Sequence, residues 1–323
     1  MNPNESPSDA RPATLWERET LQGLVHATLD EQRRSRKWNN FFKGLLFLYL
    51  FLTLFAVGGW FVGGDGAVSG PHTAVVDLHG VIDAEGAASS EKVIAALRQA
   101  FKDKDTVGVV LRINSPGGSP VQAGYINDEI HRLRKLYPKT PLYAVVTDIC
   151  ASGGYYVAVA ADKIYVDKAS LIGSIGVIMD GFGFTGLMEK VGVERRALHA
   201  GENKAFLDPF SPVNPNHVAQ AQSMLDQVHQ QFIKVVRDGR GKRLKETPEM
   251  FSGYIWSGEE GLRLGLADDY GSTDSVAREV LKAPELVDYN TKENIAERLA
   301  KKIGAGATEA AGTWVTRSQI NLH

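Results

Sequence analysis

The chain has 323 residues, of which 43% are hydrophobic and 23% charged, an ordinary composition for a globular protein. This length accommodates one large domain with short appendages, or at most two modest domains. The net charge of -2 gives no reason to expect nucleic acid as a partner. The only cysteine, Cys150, excludes an intrachain disulfide and a cysteine-based metal site.

The first element in chain order is an uncharged run of 21 residues at positions 44–64. As a helix rising about 1.5 Å per residue it would be about 30 Å long, which matches the hydrocarbon core of a bilayer. Basic side chains closely precede this run: Arg33, Arg34, Arg36, Lys37 and Lys43. Because basic residues concentrate on the cytoplasmic side, the sequence predicts a single-pass anchor with a cytoplasmic N-terminus and an exported remainder.

Two alternatives to an anchor are weaker. A cleaved signal peptide has a shorter apolar region nearer the N-terminus, and a core helix of this length would carry a polar face. The predicted organisation is a cytoplasmic tail at 1–43, an anchor at 44–64 and a linker at 65–72. A globular domain at 73–285 and a C-terminal helix and tail at 286–323 follow.

Beyond the linker, apolar strand-like runs alternate with amphipathic helix-like stretches. The predicted strands are residues 73–78, 107–113, 141–147, 163–166 and 194–199. The predicted helices are residues 90–101, 121–136, 152–161, 184–191, 215–237 and 257–264. Nearly continuous apolar strands between helices predict an α/β fold, with a parallel sheet covered by helices on both faces.

Two predicted strands end in turns of small residues, and ligand sites in parallel sheets lie at the carboxyl ends of strands. The first turn is Asn114-Ser-Pro-Gly-Gly118. Its glycine N–H groups are unshielded by side chains, so they suit an oxyanion hole for a tetrahedral intermediate. Pro-Gly-Gly is also an ordinary turn, and this motif alone leaves both interpretations open.

The second turn, Cys150-Ala-Ser-Gly-Gly154, places Ser152 at the start of a predicted helix. A helix N-terminus leaves free N–H groups, including that of Gly153, and favours negative charge. Ser152 is therefore a candidate nucleophile. Serine is also a preferred N-cap residue, and the turn alone favours that structural interpretation.

A nucleophilic serine needs a general base. No histidine lies in a distinctive motif, although His79 and His199, at predicted strand ends, remain open. The alternative base is Lys204, which lies in the glycine-led segment Gly201-Glu-Asn-Lys204-Ala-Phe. A lysine acts as a base only when it is desolvated, which the apolar residues 205–207 are predicted to achieve. The competing interpretation is a solvated loop lysine.

Together these motifs resemble the signal peptide peptidase A family of serine peptidases (peptidase family S49), in its short, single-repeat bacterial form. The matching segments are residues 114–118, 151–156, 173–177, the loop that holds Lys204, and 257–268. Each motif alone is weak, but their order and spacing are specific. The resemblance extends over about residues 73–275 and the anchor, and it implies the fold of the superfamily that includes Clp proteases and crotonases.

The resemblance implies a role for each matching residue. Ser152 is the nucleophile, Lys204 is its general base, and the Ser174 hydroxyl orients the lysine. Gly118 and Gly153 supply the oxyanion N–H groups. The resemblance implies no cofactor and no metal.

One position departs from the family pattern, because Cys150 stands where another small residue is expected. We predict a buried thiol close to the nucleophile.

The resemblance also implies a setting for the chain. The anchor lies in the bacterial inner membrane, with the peptidase domain on the periplasmic side. The substrates are remnant signal peptides and other unfolded apolar segments. The partners are membrane lipid and further copies of the chain, in a homo-oligomeric ring or dome. Ser152 of one protomer then pairs with Lys204 of the next.

Two other functions fit parts of the pattern. An acyl-CoA enzyme of the crotonase type shares the sheet and the glycine turns but has no need of Lys204, and an exported domain is separated from cytosolic CoA. A non-catalytic membrane scaffold would bind segments without cleaving them, and the presence of both Ser152 and Lys204 argues against it. Labelling of Ser152 by a serine-reactive probe distinguishes the three.

Overall fold

The computed structural model describes Arg34 and residues 36–53 and 70–290. The chain consists of two compact units, Met1–Ala67 and Val68–His323. In the first unit, residues 36–53 are helical and their large apolar side chains are exposed. Within the described residues, no helix is both long and apolar enough to cross a membrane. The second half of the predicted anchor lies outside the described residues, as do most of the predicted N-terminal tail and the predicted C-terminal helix after residue 290.

The described part of the second unit contains a single eight-stranded sheet. Its strands are β1 (His72–His79), β2 (Thr106–Ser115), β3 (Leu142–Ala151), β4 (Lys163–Val166), β5 (Leu171–Gly173), β6 (Ile255–Ser257), β7 (Asp269–Tyr270) and β8 (Leu286–Asp288). The main path runs β6-β5-β3-β2-β1-β8, while β4 pairs with β3 and β7. Every pairing is parallel except that of β5 with β6. The prediction of an α/β fold with a mainly parallel sheet is confirmed.

Helices connect these strands. They are α1 (Ser90–Lys102), α2 (Pro120–Leu136), α3 (Gly153–Ala158), α4 (Thr185–Val191), α5 (Pro215–Arg240), α6 (Gly258–Leu264) and α7 (Thr273–Ser275). A 3-10 turn at Gly241–Arg243 follows α5, and a π-helical turn at Val276–Val280 follows α7.

The strands contribute to two cores, because successive side chains of a strand point to opposite faces of the sheet. In β2, Leu111 packs in the larger core and Val110 in the smaller one. Helices α1, α2, α3 and the second half of α5 close the larger core. The smaller core is closed by Val276 and Leu281. The long helices therefore lie on one face of the sheet, while the other face is covered only by the short helical segments at 273–280, which is less helix than the predicted cover on both faces.

The predicted strand at 194–199 is wrong. Residues 193–199 have no regular structure and are exposed, and Glu194 pairs with its neighbour Arg196. A strand requires a partner for its backbone groups, and no described strand pairs with this segment. Strands β5 to β8 were not predicted, because two or three residues are too few to show a period. One of these, β8, adds to the sheet beyond the predicted boundary at residue 285.

Strand β3 is longer than predicted, and this extension positions the two motif turns. Its end at Ala151 includes Cys150, which pairs with Ser115 of β2 on one side and Ile172 of β5 on the other. Cys150 is fully buried, as predicted, and burial raises the pKa of its thiol. The chain thus leaves the sheet at both motif turns from adjacent, paired strands.

Helices α1 and α2 are joined by a carboxylate with two arginine partners. Glu129 accepts hydrogen bonds from Arg98 and Arg132, both at 2.7 Å, and its side chain is only 8% exposed. The hydrogen bond from Arg132, and then that from Arg98, lowers the pKa of Glu129 from 4.5 to about 2. Because the folded pKa lies below the unfolded one, this stabilisation is complete above about pH 4.5 and is lost as the pH falls toward 2.

Glu129→Gln is therefore expected to lower the free energy of unfolding at pH 7 by about 2 kcal/mol, the order of a hydrogen bond to a charged group. The difference between wild type and variant should shrink between pH 4.5 and pH 2. Urea unfolding at pH 7 and pH 3 measures both effects. The control is Asp128→Asn, an exposed neighbour on α2, which should change little. An equal loss at both pH values would contradict the assignment.

Candidate active site

Ser152 occupies the turn between β3 and α3. Its dihedral angles, φ 51° and ψ -123°, lie in a region that residues other than glycine rarely adopt. Its N–H donates to the Gly173 carbonyl (2.8 Å), and its own carbonyl accepts from the Tyr156 N–H (3.0 Å). The Ser152 hydroxyl makes no capping hydrogen bond to α3. The N-cap interpretation is therefore not supported, and Ser152 stays a candidate nucleophile.

Gly117 and Gly118 form the second turn of the site, with φ values of 102° and 146°. A Cβ placed on Gly118 would lie 2.1 Å from the Ile82 carbonyl oxygen. A Cβ on Gly117 would lie 2.7 Å from both the Gly153 nitrogen and the Ser152 Cβ. Only glycine fits at either position, and the short distances show that this turn packs directly on the nucleophile turn.

The backbone nitrogens of Gly118 and Gly153 lie close together, beside Ser152. The Gly118 nitrogen is 3.3 Å from the position that a Cβ would take on Gly153. Gly153 is the first residue of α3, so its N–H has no acceptor within the helix. Both glycines line the same cleft as Ser152. The two glycines predicted as oxyanion donors are therefore brought together in this cleft.

Ser174 follows β5 and lines the same cleft. It also has a positive φ, of 50°. Its N–H donates to the Tyr254 carbonyl (2.8 Å), and its carbonyl accepts from the Gly176 N–H (2.9 Å). The Ser152 N–H donates a hydrogen bond to the carbonyl of Gly173, the residue before Ser174. The two serines are therefore held on neighbouring stretches of backbone.

The cleft has a volume of about 400 Å³ and an apolar wall. Val228 and Phe232 of α5 contribute to this wall, and the Tyr156 ring packs against Phe232 with centroids 5.2 Å apart. Burial raises the pKa of the Tyr156 phenol. Sequence reasoning did not assign these wall residues, although Tyr156 lies in the serine motif and Phe232 on the apolar face of the predicted long helix.

Lys204, the predicted base, lies outside the Ser152 cleft of its own chain. It lies in an exposed turn in which its N–H donates to the Gly201 carbonyl at 3.1 Å. It is not among the residues that line the Ser152 cleft. The predicted desolvation by residues 205–207 is not present within one chain, because Lys204 is exposed and Ala205 and Phe206 are only half-buried.

The histidines that sequence analysis left open also lie away from the cleft. His79 is exposed at the end of β1, and His199 is exposed in the irregular segment. The Nε2 atom of His229 in α5 lies 3.1 Å from the carbonyl oxygen of Ile175, the residue after Ser174. No histidine of the described residues lines the cleft. In the same part of the chain, no group of three or more His, Cys, Asp or Glu side chains is arranged to hold a metal ion.

The sequence profile of Peptidase family S49 matches residues 134–286, a range that includes Ser152, Ser174 and Lys204. The chain is also 30% identical over 214 residues to "Putative protease slr0021" of Synechocystis, which covers 64% of this chain and 76% of that protein. The chain belongs to peptidase family S49. The resemblance drawn from the motifs is thereby confirmed, and S49 membership indicates a serine-type peptidase.

Two further relatives are matched over different shares of their own length. The chain is 30% identical over 203 residues to "Putative signal peptide peptidase SppA" of Enterococcus faecium, covering 63% of this chain and 58% of that protein. It is 40% identical over 209 residues to a Brucella abortus protein named "Na(+)/H(+) antiporter NhaA", covering 63% of this chain and 28% of that protein. The chain thus spans only part of either relative.

Proposed function

We propose that this S49 chain is a membrane-anchored serine endopeptidase that uses Ser152 and Lys204 to cleave remnant signal peptides and other unfolded apolar segments. The observation that carries the proposal is the cleft in which a strained serine turn meets two glycine N–H groups. The strand–turn–helix context of these turns supports a fold of the Clp protease and crotonase type.

The proposed reaction assigns one step to each group. Neutral Lys204 accepts the Ser152 hydroxyl proton as Oγ attacks the peptide carbonyl. The N–H groups of Gly118 and Gly153 stabilise the oxyanion of the tetrahedral intermediate. Protonated Lys204, oriented by the Ser174 hydroxyl, then gives its proton to the leaving amine. Neutral Lys204 then accepts a proton from water as the water oxygen attacks the acyl carbonyl, and it returns a proton to Ser152 Oγ as the ester bond breaks.

The walls of the cleft support an apolar substrate. Tyr156, Val228 and Phe232 offer rings and a branched side chain rather than charges, and such a wall favours apolar side chains over charged ones. A relative named as a signal peptide peptidase agrees with this substrate class.

The position of Lys204 supports a dyad completed between copies of the chain. Ser152 has no base within its own cleft among the described residues. From residue 176 to residue 214 nothing is buried, yet apolar side chains are abundant there: Ile178 is 84% exposed and Phe182 is 80% exposed. Exposed apolar surface of this kind marks an interaction site. In the proposed homo-oligomer this segment carries Lys204 to the cleft of a neighbour.

A membrane anchor at 44–64 is part of the proposal. It is supported by the uncharged run, by the basic residues before it, and by the exposed apolar side chains of the helical residues 36–53. The peptidase domain then lies on the extracytoplasmic side. Release of the full-length chain from membranes by an alkaline carbonate wash would refute the anchor.

A fluorophosphonate probe applied to the full-length protein in detergent is expected to label Ser152, because only an activated serine reacts rapidly. The label is located by peptide mass spectrometry. An apolar peptide should compete with labelling, whereas CoA should not. Ser152→Ala is the control and should remain unlabelled. An unlabelled wild-type protein would refute the peptidase, and protection by CoA would favour a crotonase-type enzyme.

A further inference from the structure

The oxyanion turn (residues 116–118) has a backbone conformation that glycine can adopt but that glycine alone does not fix. Gly117 and Gly118 both have positive φ values. Glycine adopts such values readily, but it adopts many others as well. A particular orientation of the Gly118 N–H therefore has to be imposed by contacts outside the turn.

The first set of contacts is made by Ile82. Its N–H donates to the Gly117 carbonyl, and its carbonyl accepts from the Ser119 N–H, both at 2.8 Å. The 117–118 peptide bond is trans, so its carbonyl and its N–H point in opposite directions. Because the Gly117 carbonyl points to Ile82, the Gly118 N–H points away from Ile82.

The second contact is made by a side chain that the reaction itself does not use. Ser115 is fully buried at the end of β2. Its hydroxyl donates to the Gly80 carbonyl at 2.6 Å and accepts from the Gly117 N–H at 3.1 Å. Gly80 lies two residues before Ile82, so this one hydroxyl joins the oxyanion turn to the loop that orients it.

Ser115 is itself held firmly. It pairs with Cys150 of β3, two residues before the nucleophile. On its other side, a Cβ on Gly154 would lie 3.0 Å from the Ser115 carbonyl oxygen and 3.3 Å from its Cβ. Ser115 therefore sits between the oxyanion turn and the first turn of α3, where its hydroxyl can set the distance between the two amide donors.

We propose that Ser115 is a positioning residue that fixes the Gly118 N–H for the oxyanion. The proposal rests on the peptidase function proposed above. Without the hydroxyl, the Gly117 N–H is left unpaired in a buried place, and the half-buried Gly80 carbonyl loses its donor. The glycines then relax toward other conformations, and the Gly118 N–H turns away from the developing charge.

The test compares Ser115→Val with Ser115→Thr, which are isosteric and differ in the hydroxyl. We expect kcat of Ser115→Val to be at least tenfold lower than that of Ser115→Thr, with KM unchanged. This is a part of the roughly 10²–10³-fold effect of a whole oxyanion donor. A peptide aldehyde, which adds to Ser152 and presents an oxygen to the hole, should bind Ser115→Val more weakly than Ser115→Thr by the same factor. The corresponding peptide alcohol should bind both variants equally.

The matched control is Ser170, another buried serine, which donates to the Thr147 carbonyl (3.1 Å) and accepts from the Asp167 N–H (3.0 Å). Ser170→Val should lower thermal stability without changing kcat. Equal kcat in the two Ser115 variants, or a kcat loss without weaker aldehyde binding, would overturn the positioning role. A wild-type protein that neither hydrolyses peptides nor binds the aldehyde would instead refute the peptidase function, and this inference with it.

Discussion

Replacing either Ser152 or Lys204 with alanine is expected to lower peptide hydrolysis at least 10⁴-fold, the order found when one member of a serine nucleophile–base unit is removed. Ser152→Ala removes the attacking oxygen from the cleft, and Lys204→Ala removes the group proposed to accept its proton. The measurement is kcat/KM on a quenched fluorescent apolar peptide, with the full-length protein in detergent. Lys135→Ala, an exposed lysine of α2 outside the proposed interface, should retain full activity.

Co-expression of the two inactive variants decides whether the dyad spans two chains. In a random mixture, about a quarter of the interfaces combine an intact Ser152 with an intact Lys204 of the neighbour, so about a quarter of wild-type activity should return. Ser152→Ala co-expressed with the Ser152→Ala, Lys204→Ala double variant should recover nothing. Failure of the first mixture to recover activity would place the dyad within one chain.

Gly118→Ala is expected to lower kcat by about 10²–10³-fold, the effect of losing one oxyanion donor. The new Cβ would lie 2.1 Å from the Ile82 carbonyl, so the turn must move and its N–H must leave the nucleophile. Steady-state kinetics on the same peptide measure the loss, and KM should change little because the donor acts on the transition state.

The matched control for this substitution is Gly124→Ala in α2. A Cβ there meets nothing within 4 Å, and alanine is favoured over glycine inside a helix by about 0.5–1 kcal/mol. Gly124→Ala should therefore keep full activity and unfold at a slightly higher temperature. Full activity in Gly118→Ala would show that this amide takes no part in catalysis.

The sheet was predictable where burial on both faces makes a strand long and apolar, as in β2 and β3. Strand β5 has three residues and no detectable period, although the chain leaves it directly into Ser174. Only the family motif around residues 173–177 indicated that residue. The glycine turns were recognisable as turns, but their mutual packing depends on the pairing of Ser115 with Cys150, which no local pattern encodes.

The assignment of Lys204 rests on the resemblance rather than on local chemistry. The apolar residues 205–207 that follow it predict desolvation of the Lys204 amine, yet Lys204 is exposed in the single chain. Strand propensity near residues 194–199 failed for a related reason, since no described strand offers a partner. Patterns read along one chain do not include surfaces that another chain would provide.

Because Cys150 is buried, the native protein is expected to be unreactive toward thiol reagents. The chain has no other cysteine, and this one is fully buried with a raised thiol pKa, so both access and thiolate formation are suppressed. A single cysteine introduced on the surface can therefore carry a spectroscopic label without background. Slow modification of Cys150 itself would report how often the sheet opens beneath Ser152.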